Sequence, residues 1–331
     1  MTVLEPATAK LRDRALKVLL DGDLEPIVDM VAWSPEPATY EVASAEGRIR
    51  FRRERKGEGW VSVIESGDGS NPIADQNPGR YASLDEERQA VHPHRRDNAY
   101  PFAFDQFAQL FDHPSAPDLC VVHSASHNWA DQGGHLGEHG SIGVVQARAP
   151  FIAAGAGIRR LGMSDRACRL IDVAPTMLAL LGADSGPDGQ LLARQDGQVL
   201  TEILEPDGPP PRHVVGLLFD GTNANVLYDL AARGDAPNVA ALMDAGVTMR
   251  HGAVSSLPTV TLANHTAILT GCHPGHHGIL HNAWVDRASG NQVVTNSPAT
   301  WATAMRWLDS SVETVHLAET SPSRQCHGLD Q

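Results

Sequence analysis

The chain has no Cys-x-x-Cys pair. Its four cysteines, Cys120, Cys168, Cys272 and Cys326, stand far apart, which argues against a thiolate zinc site. No apolar stretch is long enough to span a bilayer. The start, Met1-Thr-Val-Leu-Glu-Pro6, has no basic region followed by an apolar run, the pattern of an export signal. These absences predict a cytoplasmic protein with free thiols and no membrane partner. A basic excess is also missing: 26 Lys and Arg against 40 Asp and Glu give a formal charge of −14. That balance argues against a nucleic-acid polymer as partner, since such binding leans on basic patches. Gly155-Ala-Gly157 lacks the third glycine of a dinucleotide fingerprint, so that cofactor is set aside.

What is present is an ordinary globular composition, 42% hydrophobic and 20% charged, in a chain long enough for a substantial core in one large or two smaller domains. Sixteen histidines are many, and they gather in 123–139 and 251–282. Residues 7–20 read as an amphipathic helix. Tyr40-Glu-Val-Ala43 and Arg48-Ile-Arg-Phe-Arg-Arg53 alternate around Gly47 and read as a hairpin. Trp60–Ile64 adds a strand, 99–111 a helix, 119–122 and 150–154 short strands, and 172–181 a helix closed by Gly182. Pro209-Pro-Pro211 ends a Gly-, Pro- and Asp-rich stretch and marks 206–212 as a linker. It separates residues 1–205 from 213–331. Val214–Phe219 is a continuous apolar run, the expectation for a central parallel strand. Helices over 223–233 and 238–245, a strand near 247–254 and a helix over 298–308 follow. The alternation predicts an α/β layer fold, with ligands at the carboxyl ends of strands, where Asp220 falls.

The most informative segment runs from Ser256 to Asn282. It reads as a loop bearing hydroxyls, a helix from Thr261, a stop at Gly271, and a His- and Gly-rich turn ending at an amide. A hydroxyl at a helix start faces free N–H groups and the positive end of the helix dipole, which suits phosphate chemistry. Asp220-Gly221, Ala236-Pro-Asn238, Pro258-Thr-Val-Thr261-Leu-Ala-Asn264-His265 and Thr270–Asn282 together resemble the type I phosphodiesterase/nucleotide pyrophosphatase family of the alkaline phosphatase superfamily, from about His213 to Trp307. The resemblance implies an alkaline-phosphatase-like layered fold with a central, mostly parallel sheet. It also implies a two-metal site, usually zinc, with Asp220 and Thr261 on one metal, Thr261 as nucleophile and Asn282 as donor to a phosphoryl oxygen. The expected partner is a small phosphate ester or nucleotide, hydrolysed through a phosphothreonine. Leu262 and Ala263 replace the family's aromatic and proline.

The first half is similar to the later part of the same superfamily. Asp118–Asn128 resembles the strand that ends in Asp-His-Gly, Glu138-His139-Gly140 the late metal histidine, and Ile171–Gly182 the closing helix. The resemblance makes His139 and His127 metal ligands. Ser126 stands where a metal aspartate is expected and Asn128 where a glycine is, and no Asp-x-x-x-His is assigned as the pair that usually holds the second metal. The two halves therefore run in the reverse of the family's order. Either residues 1–205 are a degenerate copy ahead of a catalytic domain cut short, or the fold is circularly permuted. Truncation is favoured, because 321–331 shows no period.

Each residue has a simpler alternative. Asp-Gly after a strand is commonly a turn. Thr261 suits an N-cap, and Thr259 rivals it as nucleophile. His265 braces the loop, and His273, His276, His277 and His281 serve turns and hydrogen bonds. Two other functions stay open: a phosphonate, phosphomonoester or sulfate hydrolase, and an inactive scaffold.

Overall fold

The computed structural model describes residues 9–21, 24, 27–56, 59–89, 99–125, 139–206, 208 and 210–311. Helix α1 (Ala9–Leu20) leads into four strands, β1 (Val28–Glu36), β2 (Thr39–Ser44), β3 (Gly47–Lys56) and β4 (Gly59–Gly69). On β3, Ile49 and Phe51 turn inward between arginines, and they face Val42 and Tyr40 of β2. This period-2 pattern fixes the register, because a one-residue slip would drive the arginines into the core. After α2 (Leu84–Gln89) and α3 (Ala103–Asp112), β5 (Cys120–His123) joins β1 and completes an antiparallel sheet in the order β4-β3-β2-β1-β5. The first six residues of β1 and all of β2 are buried, so both faces are covered. Leu16, Leu19 and Leu20 of α1 pack on Val31 and Trp33. Ala103, Phe107 and Ala108 of α3 join Met30, Tyr40 and Phe51 on the other side.

Next come α4 (Val144–Ala147), β6 (Arg148–Ala149), β7 (Ile152–Ala154), β8 (Gly162–Ser164), β9 (Cys168–Arg169) and α5 (Val173–Leu180). The remaining elements are α6 (Ala224–Ala232), α7 (Pro237–Ala245), β10 (Gly246–Met249), β11 (Ala253–Val254), α8 (Thr261–Thr270), α9 (Pro274–His277), β12 (Ala283–Asp286), β13 (Asn291–Val294) and α10 (Trp301–Ser311). Strands from before and after the Pro-rich stretch share sheets. β10 lies between β7, antiparallel, and β8, parallel. β11 lies between β6, antiparallel, and β9, parallel. Val247, Met249 and Ala253 are buried there with Ile158, Leu170 and Ile203.

The fold is mixed α/β, but the expected central parallel sheet is not what the strands build: the pairings are largely antiparallel. The expected parallel strand at 214–219 lies outside any strand, with Val215 78%, Leu217 70% and Phe219 68% exposed. A run apolar on both faces needs a neighbour on each side. The positions beside β10 and β11 are already taken by β6, β7, β8 and β9. Among the described residues, no helix is long and apolar enough to cross a membrane.

Helix α9 sits hard against α3. The Gly275 N–H donates to Gln109 Oε1 at 2.8 Å, and a Cβ at Gly275 would meet the Gln109 carbonyl oxygen at 1.6 Å. Gly275→Ala should therefore destabilise the chain by about 1–3 kcal/mol or more, as overpacking does. A urea midpoint equal to the parent's would refute this close approach.

Candidate active site

After Val254 the chain leaves its sheet, and the loop 255–260 carries it to α8. Buried backbone groups need partners, and here side chains supply them. Asn264, in the first turn of α8, accepts from Ser256 N–H at 2.7 Å. Its amide nitrogen donates to the carbonyls of Ser256 (3.0 Å), Pro258 (2.9 Å) and Val260 (3.2 Å). Gln106 and Gln109 bond the same loop from α3. The residue that braces the loop is thus Asn264, next to the expected His265.

The two threonines differ sharply. Thr259 is buried, donates to Ser141 O at 2.9 Å and accepts the Gly140 N–H at 2.9 Å. Thr261 is half-buried and is the first residue of α8. Its hydroxyl makes no hydrogen bond among the described residues. Thr261 is not the N-cap: Val260 holds that position and offers no side-chain cap. Asn282 supplies one from outside the helix, its Oδ1 accepting the Leu262 N–H at 3.0 Å. An amide whose oxygen is fixed in this way has its NH2 oriented as well.

His139 Nδ1 lies 2.8 Å from Thr259 O. A carbonyl only accepts, so Nδ1 carries a proton, and in a neutral ring this is the tautomer a metal-ligating histidine needs. Burial holds the His281 pKa below the ordinary value, and neighbouring His139 adds to the shift. Two imidazoles thus stand near one another beside the Thr259–Asn282 group. Asp220 is elsewhere: it is exposed at the end of the unpaired apolar run and makes no hydrogen bond or ion pair among the described residues. His127, Ser126, Asn128 and Glu138 lie outside the described residues. Among the described residues, no three His, Cys, Asp or Glu side chains are grouped so as to hold a metal ion.

The remaining histidines have separate tasks. Burial pushes His273 and His277 down to about 3, so both are neutral. Ser256 Oγ meets His273 Nδ1 at 2.8 Å, and His277 Nε2 donates to Ala263 O at 3.0 Å. His276 lies between two carboxylates, with Nδ1 2.6 Å from Asp196 and Nε2 2.9 Å from Asp112. The sequence pointed to none of Gln106, Gln109, Asp112 or Asp196. The one signal was two glutamines three apart on the apolar side of a helix. Burial raises the thiols of Cys120 and Cys272 to about 12, and Cys168 is raised likewise, so these cysteines are poor nucleophiles.

Residues 214–322 match the family model described as type I phosphodiesterase / nucleotide pyrophosphatase. This segment is similar to that family. The chain is 33% identical over 92 residues to alkaline phosphatase PafA of Elizabethkingia meningoseptica, covering 28% of this chain and 17% of that protein. An uncharacterized pyrophosphatase/phosphodiesterase of Schizosaccharomyces pombe is 35% identical over 85 residues, 26% of this chain and 16% of its own length. Alkaline phosphatase PhoV of Synechococcus elongatus is 31% identical over 83 residues, with shares of 25% and 15%. The chain thus spans less than a fifth of the curated relatives it matches. No solved structure matches it. Thr261, Asn264 and Asn282 all fall inside the phosphodiesterase segment, whereas His139 and the two glutamines reach it from outside.

Proposed function

We propose that this chain hydrolyses phosphate esters of small molecules or nucleotides, with Thr261 as the nucleophile. The carrying observation is the contrast between Thr259, whose hydroxyl is bonded on both sides, and Thr261, whose hydroxyl at a helix start makes no hydrogen bond among the described residues. Thr261 Oγ1 gives up its proton to water and attacks phosphorus in line, the ester P–O bond breaks, and the leaving oxygen departs with its electron pair and takes a proton from water. Water then cleaves the phosphothreonine and restores the hydroxyl. The Asn282 NH2, oriented by the bond its oxygen makes, donates to a phosphoryl oxygen as charge builds. Such donors contribute about 2.7–4 kcal/mol in transition states.

The resemblance adds two divalent ions, most simply zinc, which when bound would acidify the hydroxyl and neutralise phosphoryl charge. The described residues do not complete a ligand set for them: His139 Nε2 is poised near the loop, whereas Asp220 stands in solvent. The sheets shared by residues 148–169 and 246–254 support a permuted arrangement, in which the histidine-bearing loop precedes the nucleophile in sequence.

The test is turnover of an aryl phosphodiester by the full chain, with metal content measured alongside. Hydrolysis that a chelator removes and zinc restores is the expected result. No turnover with any divalent ion would favour the inactive-scaffold reading. Faster turnover of a phosphonate, phosphomonoester or sulfate ester would reassign the substrate.

A further inference from the structure

We propose that Gln106 and Gln109 of α3 are positioning residues for Thr261, an inference that rests on the nucleophile reading above. Both are buried, 2% and 0% exposed, beside Phe107, Ala108 and Leu110. Burying an amide is costly unless its polar atoms are bonded. Here every one is bonded, and the bonds converge on the nucleophile loop. Gln106 Oε1 accepts the Leu257 N–H at 2.7 Å, and its Nε2 donates to Ser255 O at 2.8 Å. Gln109 Nε2 donates to Leu257 O at 2.5 Å and to Gln106 O at 3.0 Å, and its Oε1 accepts the Gly275 N–H at 2.8 Å.

Both polar groups of the Leu257 backbone are therefore held by one helix, which takes the place of the sheet ladder that ended at Val254. Asn264 carries this fixed point forward, because it ties Ser256, Pro258 and Val260 to the first turn of α8. Gln109 also holds Gly275, just past the end of α8. The unit that presents Thr261 thus rests at both ends on the same pair of side chains. The core alone does not call for amides there: α3 already packs through Ala103, Phe107, Ala108 and Leu110. A displacement of about 1 Å at a reacting group costs on the order of a hundredfold in rate.

The experiment compares the parent chain with Thr261→Ala, Gln106→Met, Gln109→Met and Gln106→Glu on an aryl phosphodiester. Amide exchange is measured on the same proteins. The methionine variants should lower kcat by about ten- to a hundredfold with KM little changed. Their faster exchange should be confined to 255–262 and, for Gln109→Met, also Gly275, even if stability falls. Gln106→Glu, when protonated, again has one donor and one acceptor, so its kcat relative to the parent should recover as pH falls. Parental kcat in both methionine variants, or exchange that rises throughout the fold, would overturn the positioning role alone. An inactive parent, or an active Thr261→Ala chain, would overturn the nucleophile reading and this inference with it.

Discussion

A Thr261→Ala chain should lose aryl phosphodiester hydrolysis by on the order of 10³-fold or more, since removing a nucleophile removes the covalent route itself. The loss should come without a large change in stability, because the Thr261 hydroxyl holds no hydrogen bond among the described residues. Thr261→Ser should retain measurable turnover, since it keeps the hydroxyl on the first residue of α8. Thr259→Ala should behave in the opposite sense. It severs the bonds to Ser141 O and Gly140 N–H, each contributing about 1 kcal/mol, while leaving the phosphorylated residue in place. Peptide mapping after a rapid acid quench should find the phosphoryl group on Thr261 in the parent. Metal-dependent turnover that survives Thr261→Ala would end the assignment.

The second large effect concerns stability. Replacing His276 with alanine should destabilise the chain by roughly 3 kcal/mol, because removing one member of a buried ionic network strands its partners. His276 joins Asp112 at the end of α3 to Asp196 in the loop after α5 through a single ring. Asp112 also accepts from Tyr40 at 2.7 Å and pairs with Arg53, and Asp196 accepts the His273 N–H at 2.8 Å. Burial works to lower the His276 pKa, but hydrogen bonds to Asp112 and Asp196 and their charges together raise it above 6.5. Burial works to raise both carboxyls, yet bonding to His276 and nearby positive charge bring them below 3.8. Asp105, His113, His273 and His277 also face this imidazole electrostatically.

The signs give a window. Stabilisation from His276 is complete below pH 6.5 and is lost as pH rises through its higher folded pKa. Stabilisation from the two carboxyls is present above their unfolded values and is lost as pH falls through the folded ones. Thermal melts should therefore show the parent most favoured over the His276→Ala chain between about pH 4 and 6.5, with the gap closing as pH rises from 6.5 through the raised pKa. A pH-independent gap would show that the ring contributes packing and not charge.

The sequence made some of this legible and not the rest, for physical reasons. The end of α8 was readable because its C-cap takes φ +66, a conformation that favours glycine, and Gly271 stands there. The hairpin of β2 and β3 was readable because its alternation has only one register. Two other features were hidden. An apolar run such as 214–219 announces burial but names no neighbour, and the neighbours it would need are already committed to each other. The clasp on Leu257 joins residues about 150 positions apart, and a glutamine in a helix gives no sign of which distant backbone it serves. The candidate site was visible where it is local, at Thr261 and Asn282. It was opaque where the glutamines of α3 reach the loop from another part of the chain.

The stretch from Val214 to Phe219 has a consequence for the chain among its own kind. Its backbone N–H and C=O groups form no hydrogen bonds among the described residues, and it carries no charge between Arg212 and Asp220. Six uncharged positions, half of them β-branched or aromatic, with open edges among the described residues are what intermolecular strands assemble from. In concentrated solution this segment should favour self-association, with the two flanking charges opposing it as gatekeepers.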